Sequence, residues 1–184
     1  LKNFYQKMQD KKYKIALICD VRNWAFSNIA NEIKNNLSKE FSIDIFYANE
    51  DYENIYDLYK DTLLKKYDLI HFFWRLQIFN IFNPEVLKYC PITTSKLINN
   101  FCTKSITTSI YDHAFLTDSE KIFYSGVFST LVDNYTVSSD KLYKIYSKIS
   151  EYKKPSAIIQ DGVNLELFYP IDTERFQKKK KNDC

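Results

Sequence analysis

The sequence predicts one doubly wound α/β domain with a mainly parallel sheet, and three observations carry that expectation. Short apolar runs of strand length alternate with longer amphipathic stretches of helical period, from Lys14 to Ile159. Two of the runs, Lys14 to Cys19 (KIALIC) and Asp68 to Phe73 (DLIHFF), are almost continuously apolar, as parallel strands covered on both faces are. The third observation is size. A chain of 184 residues can bury one proper core and is too short for two domains of ordinary size.

The elements follow in order. KIALIC ends at Asp20, and after the polar turn VRNW the stretch Ala25 to Glu40 sets Ile29, Ile33 and Leu37 at helical spacing among Lys and Asn. Ser42 to Tyr47 (SIDIFY) alternates as a second strand. Tyr52 to Lys65 then places Ile55, Leu58, Tyr59, Thr62 and Leu63 on one helical face. Beyond the third strand, DLIHFF, Pro84 opens a helical stretch that Pro91 interrupts and Thr93 to Phe101 resumes. Lys104 to Ile110 (KSITTSI) reads as a strand with a polar end, and Asp118 to Leu131 as a helix that carries Gly126. Asn134 to Val137 is a short strand, Ser138 or Ser139 can cap a helix over Lys141 to Ile149, and Ser156 to Ile159 is the last strand. Strands alternating with helices imply βαβ units, right-handed crossovers and helices on both faces, a Rossmann-like arrangement. The domain is assigned to residues 1–170, and the lysine-rich stretch 171–184 to a hinge or a disordered tail.

Composition narrows the partners. Apolar residues at 45% and charged residues at 27% are globular proportions. The 26 basic residues are nearly matched by 23 acidic ones, so the balance is not that of a nucleic-acid binder. Cys19, Cys90, Cys102 and Cys184 form no CxxC pair, which signals neither a zinc site nor a disulfide framework and suits free thiols in a cytoplasm. The opening LKNFYQKMQDKKYK has no apolar stretch before a cleavage site, and the most apolar region, Leu69 to Phe82, is broken by His71, Arg75, Gln77 and Asn80. A cytoplasmic location is therefore expected. Lys7, Lys11, Lys12 and Lys14 allow peripheral contact with anionic lipid at the inner face of a membrane, although the acids among them favour a merely solvated run.

The two glycines, Gly126 and Gly162, both lie far from the end of the first strand. A dinucleotide fingerprint and a P-loop both need glycines there, so that backbone can approach phosphate, and no cofactor is expected on this domain. A receiver-type signalling domain would use Asp20 but would end its third strand in a phosphate-accepting Asp. Here that strand runs into Phe72, Phe73, Trp74 and Arg75.

In parallel sheets ligands bind beyond the carboxyl ends of the strands, where strand order reverses. The candidate binding residues are therefore Asp20, Arg22, Asn23, Trp24, Trp74, Arg75 and Ser138, with Tyr111, Asp112 and His113 after the fourth strand. Each carries two readings. Trp24 and Trp74 stack on the apolar face of a sugar or pack at the rim. Arg75 holds a phosphate or carboxylate, or pairs with a neighbouring helix. Asp20 orients the first loop or caps the first helix, and Ser138 is most simply an N-cap. His71, inside an apolar strand, reads as a satisfied core histidine.

Ile158 to Pro170, IIQDGVNLELFYP, resembles the string that closes the N-terminal domain of family 4 glycosyltransferases of the GT-B fold, a strand followed by N/D-G-V-D and then Phe-x-Pro. Asp68 to His71 (DLIH), Thr108 to His113 (TSIYDH) and Val137 to Ser139 (VSS) resemble further segments of these enzymes, in the same order from about Lys14 to Pro170. Trp24 to Ala30 with Phe73, Trp74 and Arg75 is similar to a subgroup whose first loop has W-A-F in place of glycines. The resemblance implies a retaining transferase that moves a sugar from a nucleotide sugar to a saccharide or lipid-linked acceptor, with a role in cell-surface polysaccharide synthesis. This chain would be the acceptor-side half, with Asp112 and His113 at the catalytic cleft. It also implies a second domain, outside this chain, that binds the nucleotide sugar and supplies an E-x7-E pair. The chain alone is then expected to fold without turning over. The common G-G after the first strand is replaced by Arg22-Asn23-Trp24, so the family's acceptor does not carry over. The other reading is a non-enzymatic binding module on the same fold. On either, Arg22, Trp24, Trp74, Arg75, Asp112 and His113 are expected to converge on one open groove, positive through Arg22, Arg75 and His113 and partly neutralised by Asp20 and Asp112.

Overall fold

The computed structural model describes residues 12–80, 88, 93–111, 126, 128–149 and 152–160. Six strands form one sheet: β1 (Lys14–Cys19), β2 (Ser42–Tyr47), β3 (Leu69–Phe72), β4 (Ser105–Ile110), β5 (Asn134–Val137) and β6 (Ala157–Ile158). Every neighbouring pair is parallel, in the order β2-β1-β3-β4-β5-β6. The chain steps from β1 outward to β2, returns to the far side of β1 for β3, and then continues in one direction. Strand order thus reverses once, between β1 and β3, and that switch point opens a crevice at the carboxyl ends.

The described helices are α1 (Ala25–Leu37), α2 (Ile55–Leu63), α3 (Leu76–Asn80), α4 (Thr94–Cys102) and α5 (Asp140–Tyr146), and Gly126 and residues 128–131 are also helical. Side chains start three of them. Asn54 accepts from the Asp57 N–H at 3.0 Å, Thr93 from Lys96 N–H at 3.4 Å, and Ser139 from Leu142 N–H at 3.3 Å. The serine that caps α5 is therefore Ser139, not Ser138. Helix α1 begins differently: Trp24 stands at its N-cap without a side-chain cap, so Asp20 does not fill that role.

Alternation along the strands builds two cores. On one face Ala16, Ile18, Ile70, Phe72, Ile106, Ile110, Tyr135 and Val137 pack with Leu58, Tyr59 and Leu63 of α2, Leu97 and Phe101 of α4, Phe128, and Leu142 and Tyr146 of α5. Phe101 is fully enclosed, with its ring 5.5 Å from that of Tyr59 and 6.4 Å from that of Phe72. Thr108, the one polar residue β4 turns to this face, donates to the Phe72 carbonyl at 2.6 Å and so enters the core satisfied. The other face is smaller. Leu17, Cys19, Ile43 and Phe73 pack with Ala30 of α1, with Phe26, Ile29 and Ile33 of the same helix against them.

Two departures from the sequence reading are local. Helix α3 lies in the aperiodic stretch after β3; its Gln77, Ile78 and Phe79 are buried, Leu76 is part-buried and Asn80 is exposed, and five residues are too few to show a helical period. The Tyr59 hydroxyl donates to the Gln77 carbonyl and ties α3 to α2. The last strand is two residues long rather than four, since only Ala157 and Ile158 pair with β5. Apart from Lys88, which is helical, the proline-flanked stretch 84–92 lies outside the described residues, as do Asp161 to Pro170 of the closing string and the lysine-rich tail. Among the described residues no helix is long and apolar enough to cross a membrane.

Candidate functional site at the carboxyl ends of the strands

Three strand ends build the site. Backbone bonds pin the end of β1: Ala48 N–H donates to the Cys19 carbonyl at 2.9 Å, Asn49 N–H to the Asp20 carbonyl at 3.0 Å, and Phe73 N–H to the Ile18 carbonyl at 3.0 Å. Between the turns that follow β1, β3 and β4 lies a pocket of about 240 Å³. Phe26, Phe73 and Tyr111 make its apolar wall. Phe26 stacks on Phe73 with centroids 5.7 Å apart and lies 5.0 Å from Tyr111. Trp74 stands at the edge, 38% exposed. The polar lining is Asp20, Arg75 and Ser109, and Arg75 is only 4% exposed.

Asp20 Oδ1 is closed off from solvent and has no hydrogen-bond partner among the described residues. A sequestered carboxylate oxygen without a donor carries an uncompensated desolvation penalty of about 1–3 kcal/mol or more, so such groups are rare unless a ligand or water completes them. Next to it, burial first and the Asp20 charge second push the Cys19 thiol up to about 12, leaving that cysteine protonated and inert at neutral pH.

Ser109 belongs to a hydroxyl chain on the α1 side of the sheet. Its Oγ lies 2.9 Å from Thr136 Oγ1 and 3.4 Å from His71 Nε2, and His71 Nδ1 lies 2.9 Å from Thr107 Oγ1. The parallel register sets this up, because Leu17 pairs with His71, His71 with Thr107 and Ser109 with Thr136. Both ring nitrogens of His71 thus meet hydroxyls, as expected for a satisfied histidine. Burial, with Phe73 edge-on at 4.7 Å, lowers its pKa from 6.5 to about 4, so the ring is neutral at physiological pH.

Asp20, Trp74 and Arg75, three of the sequence-predicted residues, meet at this pocket together with Tyr111. Others do not. Arg22 turns toward the end of β2, bonded to Glu50 at 2.8 Å and Asp51 at 2.5 Å with its guanidinium 4.2 Å above the Tyr47 ring; Asp51 first, then Glu50, raise its pKa. Its charge is therefore neutralised away from the pocket. Asn23 takes a left-handed φ of 57°, a conformation Asn tolerates better than most residues, and serves the turn. Trp24 is 63% exposed and does not line the pocket. Ser138 donates its N–H to the Ile110 carbonyl at 3.1 Å and extends the pairing of β4 with β5. Asp112 and His113 lie outside the described residues.

The candidate residues read from the sequence did not include Phe26, Phe73 or Ser109. The signal for Ser109 was present: in Ser105 to Ile110 the isoleucines mark the core face, so the intervening Thr107 and Ser109 point to the other. A second hollow, of about 800 Å³, opens at the amino end of the sheet beside Lys14, Lys66 and Lys104. It has no switch point behind it, and Lys104 is spent on the Lys65 and Tyr67 carbonyls. Among the described residues no group of His, Cys, Asp or Glu is placed to hold a metal ion. The chain matches no family model, no curated protein and no solved structure.

Proposed function

We propose that this chain is the acceptor-side half of a retaining GT-B glycosyltransferase, and that the pocket at the ends of β1, β3 and β4 holds the acceptor. The observation that carries the reading is the pocket itself: an aromatic wall with a buried carboxylate oxygen and a hydroxyl, at the switch point of a parallel sheet, suits a hydroxylated ligand. The loop after β1 contains no glycine and so offers no phosphate cradle, which favours the acceptor over the nucleotide for this half. The resemblance of the strand ends and of the closing string to family 4 supports the same assignment. In that arrangement a second domain binds the nucleotide sugar across the crevice, and the transfer product belongs to surface polysaccharide synthesis.

A transfer assay tests the proposal. The product of the whole reading frame is incubated with membranes and with UDP-glucose, UDP-N-acetylglucosamine, UDP-galactose or GDP-mannose carrying a labelled sugar. Label is expected to enter saccharide or lipid-linked acceptor, and Trp74→Ala to reduce it. Residues 1–184 alone should bind none of these donors at micromolar concentration. A full-length product that transfers nothing, or a chain of 184 residues that binds a nucleotide sugar tightly, would overturn the assignment.

A further inference from the structure

The charge at the carboxyl edge is not what the sequence suggests, and the difference bears on ligand class. Arg22 is occupied by Glu50 and Asp51, leaving Arg75 as the described cation that lines the pocket, with Asp20 beside it. Among the described residues the pocket lining thus holds one anion and one cation, Asp20 and Arg75, and no net positive charge. A phosphate or carboxylate entering the pocket would meet Asp20 at close range and gain little from the combined field.

An uncharged polyol uses all of these groups. A hydroxyl donates to the part-buried Asp20 carboxylate where it lines the pocket. Ser109 offers a further position, because a serine hydroxyl takes one donor and two acceptor bonds and, among the described residues, His71 and Thr136 engage it. The Trp74 edge and the wall of Phe26, Phe73 and Tyr111 present apolar surface to the C–H face of a ring. The pocket, at about 240 Å³, is smaller than the about 300–1,000 Å³ typical of sites for drug-sized ligands, a size for one sugar ring rather than a nucleotide.

We propose that the pocket selects an uncharged sugar ring, received by Asp20 and Ser109 as hydrogen-bonding groups, and disfavours phosphorylated and acidic sugars. The proposal rests on the acceptor reading of the same pocket and adds the chemical class of acceptor. Ser109 is set by His71 and Thr136, which act through it as positioning residues.

Saturation-transfer NMR on residues 1–184 tests this with methyl glucoside, methyl galactoside and methyl mannoside against glucose 1-phosphate and methyl glucuronoside. At least one neutral glycoside is expected to bind at millimolar concentration, ahead of both anions. Asp20→Asn, with its fold checked by circular dichroism, should weaken the neutral ligand about tenfold and strengthen the anions, since a charge-assisted bond becomes a neutral one while the repulsion disappears. Ser109→Ala should weaken the neutral ligand without improving the anions. Tighter binding of either anion to the native chain overturns the proposed class while leaving acceptor binding and the transfer assay standing. Failure of every sugar to bind overturns it too, and with a silent transfer assay removes the acceptor reading as well.

Discussion

Acid should destabilise this domain through His71 in a window set by one buried ring. The folded-state pKa is about 4, against 6.5 for a solvated histidine, and burial is the cause. Below pH 6.5 the unfolded chain binds a proton that the folded chain refuses until pH approaches 4, so stability is complete above the window and falls as pH drops through it. At 1.36 kcal/mol per unit, the loss from this residue is about 1 kcal/mol at pH 5.5 and about 2–3 kcal/mol at pH 4.5. His71→Gln removes the titration and keeps polar atoms near Thr107 and Ser109. The variant will be less stable at pH 7.5, but its curve should be flatter. Urea unfolding at steps between pH 7.5 and pH 4.5 reads the difference: with a slope of about 2 kcal/mol per molar, the native midpoint should move about 1 M further than the variant's. The chain has two histidines, so the imidazole signals can be followed directly by NMR as an independent reading. Parallel pH profiles for the two proteins, or a His71 signal titrating near 6.5, would refute the reasoning.

Two further outcomes follow from the packing. Phe101→Ala, which empties a fully enclosed site between Tyr59 and Phe72, should cost about 3–5 kcal/mol and lower Tm by about 10 °C in a thermal scan. Ser139→Ala should cost about 1 kcal/mol by denaturant unfolding and Ser138→Ala less than about 0.5 kcal/mol, because only Ser139 caps α5 through its side chain.

How much of this was legible in the sequence differs from element to element for physical reasons. β1, β2 and β5 match the sequence reading residue for residue, since each is an apolar or alternating run whose ends are marked by polar residues. Helix α3 was not legible, because its five residues are too few to show a period and its buried run, Gln77 to Phe79, is continuous. The site was half legible. Knowing that parallel strands open their carboxyl ends on one side was enough to bring Asp20, Trp74, Arg75 and Tyr111 together. The partner of Arg22 was not, because Glu50 and Asp51 follow β2 and reach Arg22 only through the parallel register of β1 with β2. A charge counted toward a ligand in the sequence is thereby used up by the fold.

The hydroxyl chain links the fold to the site more closely than either alone. A parallel sheet with helices on both faces ordinarily fills both with aliphatic residues, and β1 and β2 do so on the α1 side with Leu17, Ile43 and Ile45. On the same side β3, β4 and β5 carry His71, Thr107, Ser109 and Thr136, all part-buried. Burying four polar side chains is tolerable only if each finds a partner, and here each does, along one continuous row. The row meets the pocket at Ser109, between His71 and Thr136. Ser109 stands inside the row, bonded to His71 on one side and Thr136 on the other, so its hydroxyl is oriented from both sides, and that pre-ordering reduces the entropy a ligand bond to it must overcome. By the same connection, a substitution at Thr136, which does not line the pocket, should disturb ligand binding through Ser109, whereas Arg22→Ala, at the same edge but outside the row, should leave binding unchanged.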